Sequence, residues 1–237
     1  MPVTPTPDTS SGDTPTSAIY ERKRLGAAGA YDKWVWGFSF QPWAWGPRLD
    51  RVLAFVREHL SAEHLEVGVG TGLLLERADR PGGFTRLHLL DANSGPLQET
   101  ADRLSRFAPA TTRADALEPW TGVEGSFASV GCMNVVHCLP DPGQRGIAAK
   151  TALFDSVARV LRPGGVFFGA TLMNRGVRGR WRRPLAVLMM ALYNRLAWFS
   201  NRADTADDLA AALRERFDDV EVWTEGSLVL WRAVGRS

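Results

Sequence analysis

Glu66-Val67-Gly68-Val69-Gly70-Thr71-Gly72 decides the fold. An apolar run from His64 to Val67 leads into it and the helical run Leu73-Leu74-Leu75 follows, so three alternate glycines sit where a strand hands over to a helix. Glycines there let the backbone turn tightly and approach a ligand closely. Asp91 ends the next apolar run, Leu87 to Leu90, 19 positions after Gly72. A carboxylate outside a strand's carboxyl end can accept hydrogen bonds from two ribose hydroxyls. Asp115 follows a third run, Thr111 to Ala114, and is placed to accept from an exocyclic amine such as that of adenine, if that run is the neighbouring strand.

A nucleoside is thus specified at both ends. Dinucleotide binders use G-x-G-x-x-G and rest a pyrophosphate on the helix start. Here the third glycine comes one residue early and Leu73 holds the usual position, which disfavours a nicotinamide enzyme. A sulfonium nucleoside without phosphates fits better.

Outward from the glycines, short apolar runs continue at Phe127 to Val135 and Val166 to Thr171, alternating with helical patterns. Strand-helix-strand order implies a parallel sheet covered on both faces. A helix striped by Leu49, Val52, Leu53, Val56 and Leu60, with Pro47 in its first turn, leads into the core. Another, marked by Leu153, Val157, Val160 and Leu161, is ended by Arg162-Pro163-Gly164-Gly165, a turn that launches the next strand. Thr205 with Asp208 fits a capping pattern, and Glu225-Gly226 turns two final runs, Val220 to Thr224 and Leu228 to Val234, into a hairpin. The expected fold is α/β: a Rossmann-like doubly wound sheet, mostly parallel, with an antiparallel C-terminal hairpin strand, a helical N-terminal lid and a helical cap inserted after strand five. The expected division is a disordered Pro/Ser/Thr-rich tail over 1–17, an aromatic lid and helix over 18–60, and the ligand-binding domain over 61–237 with the cap at 174–201.

These residues resemble the class I S-adenosylmethionine-dependent methyltransferases of the small-molecule type. EVGVGTG looks like their first motif, LLDANSGPLQ their second, FASVGCMNVVHCL their fourth and RVLRPGGVFFGATL their strand-five motif. The resemblance implies S-adenosylmethionine as cofactor. It implies that Glu66 and the backbone around Gly68, Gly70, Thr71 and Gly72 hold the methionine part, Asp91 with Ala92 the ribose, and Asp115 with Ala116 the adenine. Met133 and Asn134 would border the sulfonium, and Tyr31 resembles a tyrosine that touches the methionine end. The implied activity is in-line methyl transfer to a small, hydrophobic or aromatic metabolite. A cyclase or rearrangement enzyme on the same fold, and a non-enzymatic S-adenosylmethionine-binding partner, remain open alternatives.

His137 is the candidate general base, because it follows the fourth strand near the expected methyl position and imidazole titrates near neutral pH. A histidine that orders the loop is the competing reading. Among the lid aromatics Tyr31, Trp34, Trp36, Phe38, Phe40, Trp43 and Trp45, the expected acceptor contacts are Trp36 and Trp43. Rings packing on one another need no ligand to justify them. The cap begins with Arg175, Arg178, Arg180, Arg182 and Arg183, of which Arg180 is the expected acceptor contact. An apolar helix follows them, so residues 175–199 suit either an acidic acceptor or a weak contact with an anionic membrane surface.

With 28 Lys plus Arg against 26 Asp plus Glu, the net charge of +2 gives no field that would gather nucleic acid. The loop Asn134-Val135-Val136-His137 also lacks the Asn/Asp-Pro-Pro-aromatic signature of base-modifying relatives. The partner expected is therefore a small-molecule acceptor. Two cysteines, Cys132 and Cys138, have neither disulfide nor zinc spacing, and no metal is expected. No segment has the roughly 20 apolar residues of a membrane span and the start lacks signal-peptide features, so a cytoplasmic location is the expectation.

Overall fold

A computed structural model describes residues 28–175 and 184–237. The proposed tail over 1–17 and the arginines at 178, 180, 182 and 183 lie outside these. Seven strands, β1 (Glu63–Val67), β2 (Arg86–Asp91), β3 (Ala110–Arg113), β4 (Phe127–Met133), β5 (Leu161–Leu172), β6 (Asp218–Glu225) and β7 (Leu228–Val234), form one sheet in the order β3-β2-β1-β4-β5-β7-β6. Every pairing is parallel except those of β7, which runs antiparallel to β5 and to β6. Strand order reverses between β1 and β4, and such a switch point opens a crevice beyond the strands' carboxyl ends.

Alternate side chains divide between two apolar layers, as strand geometry requires. Phe168, Leu89 and Leu230 face one side, where α2 (Leu49–His59), α3 (Leu73–Ala78), α4 (Ser94–Arg103) and the aromatic lid pack through Val52, Val56, Leu75, Leu97, Trp36, Phe40 and Trp45. Leu65, Val67, Val130 and Phe167 face the other, covered by α5 (Thr151–Val160) and α7 (Ala206–Arg214) through Leu153, Val157, Leu209 and Leu213. Thr205 caps α7, its hydroxyl oxygen accepting the Asp208 N–H at 3.1 Å.

Several boundaries differ from the sequence reading. Pro47 precedes the cap residue Arg48 and lies outside the first turn of α2. β4 stops at Met133, because Asn134 takes a left-handed conformation (φ 61°) and a single 3-10 turn, Val136–Cys138, follows. Leu161 begins β5 instead of ending α5. Arg162-Pro163-Gly164-Gly165 is an irregular opening of that strand, held by Gly164 N–H to Gly235 O at 3.0 Å and Gly235 N–H to Gly165 O at 2.8 Å. Pairing with the chain's last strand, which is distant in sequence, turns a local turn signal into strand.

The lid starts with α1 (Ala28–Asp32), widens into a π-helical turn over Lys33–Ser39, and reaches the hairpin tip, where Ser227 N–H donates to Trp45 O at 2.7 Å. The cap contributes α6 (Pro184–Arg195), which buries Ala186, Met189, Met190 and Tyr193 on the lid side and leaves Leu188 and Leu192 exposed, as is Leu196 just after it. Among the described residues no helix is long and apolar enough to cross a membrane.

Candidate functional site at the switch point

The glycine loop continues β1 for one residue, Gly68 N–H donating to Leu90 O at 2.8 Å, and then turns, with Gly72 N–H to Val69 O at 3.0 Å. Gly68, Gly70 and Gly72 have φ of 74°, 56° and 74°. A Cβ on Gly70 would meet nothing within 4 Å, so the middle of the loop presents bare backbone to open space. At the end of β2, Asp91 Oδ2 accepts the Val69 N–H at 3.1 Å and Oδ1 accepts the Asn93 N–H at 2.8 Å. Burial pushes this carboxyl up from its ordinary pKa, against the pull of those hydrogen bonds. Ala92 follows it, half-buried, its carbonyl accepting from Arg113 Nε at 3.1 Å. Beyond β3, Asp115 is half-buried with Oδ1 accepting the Leu117 N–H at 2.9 Å, and Ala116 is buried beside it.

From β1, Glu66 is buried and accepts from His64 Nε2 at 2.9 Å. From β4, Met133 is buried, and Asn134 donates its backbone N–H to Ala170 O at 2.7 Å. The Asn134 side-chain Oδ1 is buried and has no hydrogen-bond partner among the described residues. A non-glycine residue in the left-handed region with an orphaned polar atom stores strain, a feature that concentrates at functional sites. Tyr31 stands half-buried in α1, next to the residue that closes the lid on the loop. Asp32 Oδ1 accepts from Thr71 Oγ1 at 2.6 Å, while Arg103 of α4 lies 3.2 Å from Asp32 Oδ2 and 3.4 Å from Thr71 Oγ1. The contacts of Asp32 and Arg103 with the glycine loop were not legible in the sequence, because one arginine among 25 carries no local signal.

His137 lies in the 3-10 turn after β4, fully buried. Its Nδ1 accepts the Leu172 N–H at 3.2 Å and sits 3.1 Å from Thr171 Oγ1, so the ring proton is on Nε2; its backbone carbonyl accepts the Ser200 N–H at 2.7 Å. Burial, then the nearby Lys150 charge, lowers its pKa from 6.5 to about 3. The folded ring thus stays neutral where the unfolded chain takes up a proton, and stability falls as pH drops from 6.5 toward 3. Between pH 7.5 and 5 the wild type is expected to lose about 2 kcal/mol more than His137→Gln, measured by urea unfolding at the two pH values.

The remaining candidates separate. Trp36 is buried and tilted against Phe40 at 4.6 Å, a core contact, while Trp43 is 55% exposed. Arg180 lies outside the described residues. No group of acidic, histidine or cysteine side chains suited to a metal occurs among the described residues.

Residues 65–165 match the family model described as a methyltransferase domain. The chain is 40% identical over 179 residues to the demethylluteothin O-methyltransferase of Streptomyces thioluteus, covering 73% of each chain. It is 33% identical over 210 residues to methyltransferase ctvB of Aspergillus terreus, covering 86% of this chain and 88% of the relative. The chain belongs to the class I S-adenosylmethionine-dependent methyltransferases. Its fold matches that of the Bradyrhizobium japonicum N-methyltransferase NodS crystallised with S-adenosylhomocysteine, with a TM-score of 0.63 and 16% identity over 95% of this chain and 100% of that one.

The methyltransferase's cofactor is S-adenosylmethionine, and the residues at the switch point suit such a group. Open space over Gly70, the orphaned Asn134 Oδ1 and the Asp91 carboxylate stand at the carboxyl ends of the neighbouring strands β1, β4 and β2. Together they offer bare backbone, an unused acceptor and an anion to a nucleoside that carries a cationic centre and no phosphate.

Proposed function

We propose that this methyltransferase acts on a hydroxyl of a flat, hydrophobic metabolite. The observation that carries this reading is the set of exposed rings on lid and cap: Trp34, Phe38 and Trp43 on one, Trp198 on the other. Trp34 stacks on Phe38 at 4.8 Å, and its Nε1 donates to Tyr193 OH at 3.3 Å, joining the two elements. Aromatic faces held this way offer a large apolar contact to a planar acceptor. The relative named for O-methylation of demethylluteothin supports oxygen as the methylated atom.

When bound, S-adenosylmethionine supplies a methyl group already activated on a sulfonium. The chain's own contribution is then positional. Glu66 and the glycine loop are assigned to the methionine part, with Tyr31 and Thr71 beside them, Asp91 and Ala92 to the ribose, and Asp115 and Ala116 to the adenine. Met133 and Asn134 border the reacting end, and the lid excludes water. Orientation can supply about 7–11 kcal/mol, against roughly 3–5 kcal/mol from a general base. His137, with a pKa of about 3, is too weak a base to draw a proton from a hydroxyl at neutral pH and is assigned to ordering the loop.

An acceptor panel of planar phenols and enols, amines, thiols and acidic molecules, read by release of S-adenosylhomocysteine, tests the proposal. Hydrophobic hydroxyl acceptors are expected to be methylated best, and Trp43→Ala to lower their kcat/KM about tenfold while leaving cofactor affinity unchanged. Preference for amines or for acidic acceptors would overturn it. The cap ridge Leu188, Leu192, Leu196, on a stretch without an acidic residue between Asp155 and Asp204, also suits contact with an anionic membrane surface, which co-sedimentation with anionic vesicles would detect.

A further inference from the structure

We propose that His64, anchored by Ser129, is a positioning residue for Glu66, and that this buried relay sets how tightly the enzyme grips the amino-acid end of S-adenosylmethionine. The proposal rests on the assignment of Glu66 to that end of the cofactor.

Register places the parts. Where β1 and β4 pair, His64 stands opposite Ser129 and Glu66 opposite Gly131. His64 Nδ1 lies 2.8 Å from Ser129 Oγ and Nε2 lies 2.9 Å from Glu66 Oε2, while Ser129 Oγ accepts the Ser61 N–H at 2.9 Å. The three side chains are buried. A carboxylate only accepts, so Nε2 carries a ring proton; in that tautomer Nδ1 accepts and the Ser129 hydroxyl donates to it. Ser61 fills a lone pair of that hydroxyl. Each donor and acceptor in the series is thereby directed, starting from a backbone amide and ending on Oε2 of Glu66.

Two further contacts hold the geometry. The His64 ring lies near-parallel to Phe168, with centroids 5.8 Å apart and an angle of 24°, and is flanked by Phe84 at 6.1 Å. Gly131 provides the slot for the carboxylate, since a Cβ there would overlap Glu66 Oε2. On a sheet face otherwise packed with Phe168, Leu87 and Leu89, a histidine that only filled space would be better replaced by an apolar residue. The series instead commits Oε2 inward and leaves Oε1 as the oxygen not engaged by His64. An oriented anion is the partner that the ammonium of an amino-acid group requires.

Calorimetric titration with S-adenosylhomocysteine and with 5′-methylthioadenosine, which lacks the amino-acid part, tests this in the wild type and in His64→Phe, His64→Gln and Ser129→Ala. His64→Phe is expected to weaken S-adenosylhomocysteine about tenfold or more and methylthioadenosine by less than about twofold. His64→Gln, whose amide offers an acceptor and a donor at similar spacing, is expected to recover affinity to within about threefold. Ser129→Ala, which removes a single atom from the fold, is expected to give an intermediate and equally selective loss, and decides the matter alone if His64→Phe does not fold. Unchanged affinity for S-adenosylhomocysteine in a folded variant, or equal loss of both ligands, would overturn the relay. A wild type that binds neither ligand would instead remove the cofactor assignment beneath it.

Discussion

Gly70→Ala is expected to leave the fold standing and to remove most of the affinity for S-adenosylmethionine. A methyl there would touch no protein atom within 4 Å, so the cost to stability is the left-handed backbone alone, about 1–2 kcal/mol. The same methyl would intrude on the open face of the loop, and overpacking of about 1–3 kcal/mol corresponds to roughly 5- to 150-fold in Kd. Gly68→Ala behaves differently, because its Cβ would overlap the Val135 side chain in addition to straining a φ of 74°. Stability and binding are then expected to fall together, by about 2–5 kcal/mol in stability, and Val135→Ala is expected to restore part of both. Thermal melts beside calorimetric titrations separate the two behaviours. Gly70→Ala binding as well as wild type would show that the loop is not the cofactor's cradle.

Lys150→Met is expected to be the most destabilising single change away from the glycine loop. Lys150 at the start of α5 and Asp204 ahead of α7 are both fully buried, with Nζ donating to Asp204 Oδ2 at 2.6 Å and to Ser200 O at 2.9 Å. Asp204 Oδ1 has no hydrogen-bond partner among the described residues, so the ammonium is the principal compensation for that carboxylate. Removing one member of such a pair costs about 3–5 kcal/mol, because it leaves a buried charge uncompensated. In a chain of this size that corresponds to a Tm lower by about 6–20 °C. The double variant Lys150→Met, Asp204→Leu is expected to recover most of the loss, since two apolar side chains of similar volume need no partner. The effect should reach the site, because the segment tied down by Lys150 includes Ser200, whose N–H holds the His137 carbonyl. A loss under about 1 kcal/mol in the single variant would mean that water or relaxation already satisfies the carboxylate.

How far the sequence reaches depends on the range of the forces involved. The place of Asp91 at the end of β2 was legible because strand, glycine turn and acidic residue follow one another within a single βαβ unit, whose geometry is local. Thr205 was legible for the same reason, its hydroxyl meeting the Asp208 N–H three residues on. The end of β4 was not, because an apolar run says nothing about the left-handed turn at Asn134 that aims its side chain. His137 was placed correctly after β4, yet its chemistry follows from burial and from the Leu172 N–H, which are set by β5 and the cap. Gly131, inside the apolar run of β4, was a signal that could have been used, since a glycine in a strand interior often marks a close approach. What approaches it is Glu66, through a pairing register that periodicity does not specify.

By itself, then, the sequence determined the fold class, the family and the place of the glycine turn and Asp91 at the carboxyl ends of β1 and β2, because periodicity, glycine turns and strand-end carboxylates act between residues close along the chain. Only the tertiary structure decided the strand order, the contacts of Asp32 with Thr71 and Arg103, the burial of His137 and the contacts of His64 with Ser129 and Glu66. Apart from the His64–Glu66 contact, which spans two residues of one strand, those depend on burial and on hydrogen bonds between residues about 30 to 70 positions apart, where desolvation sets the energy and no local pattern records the partner.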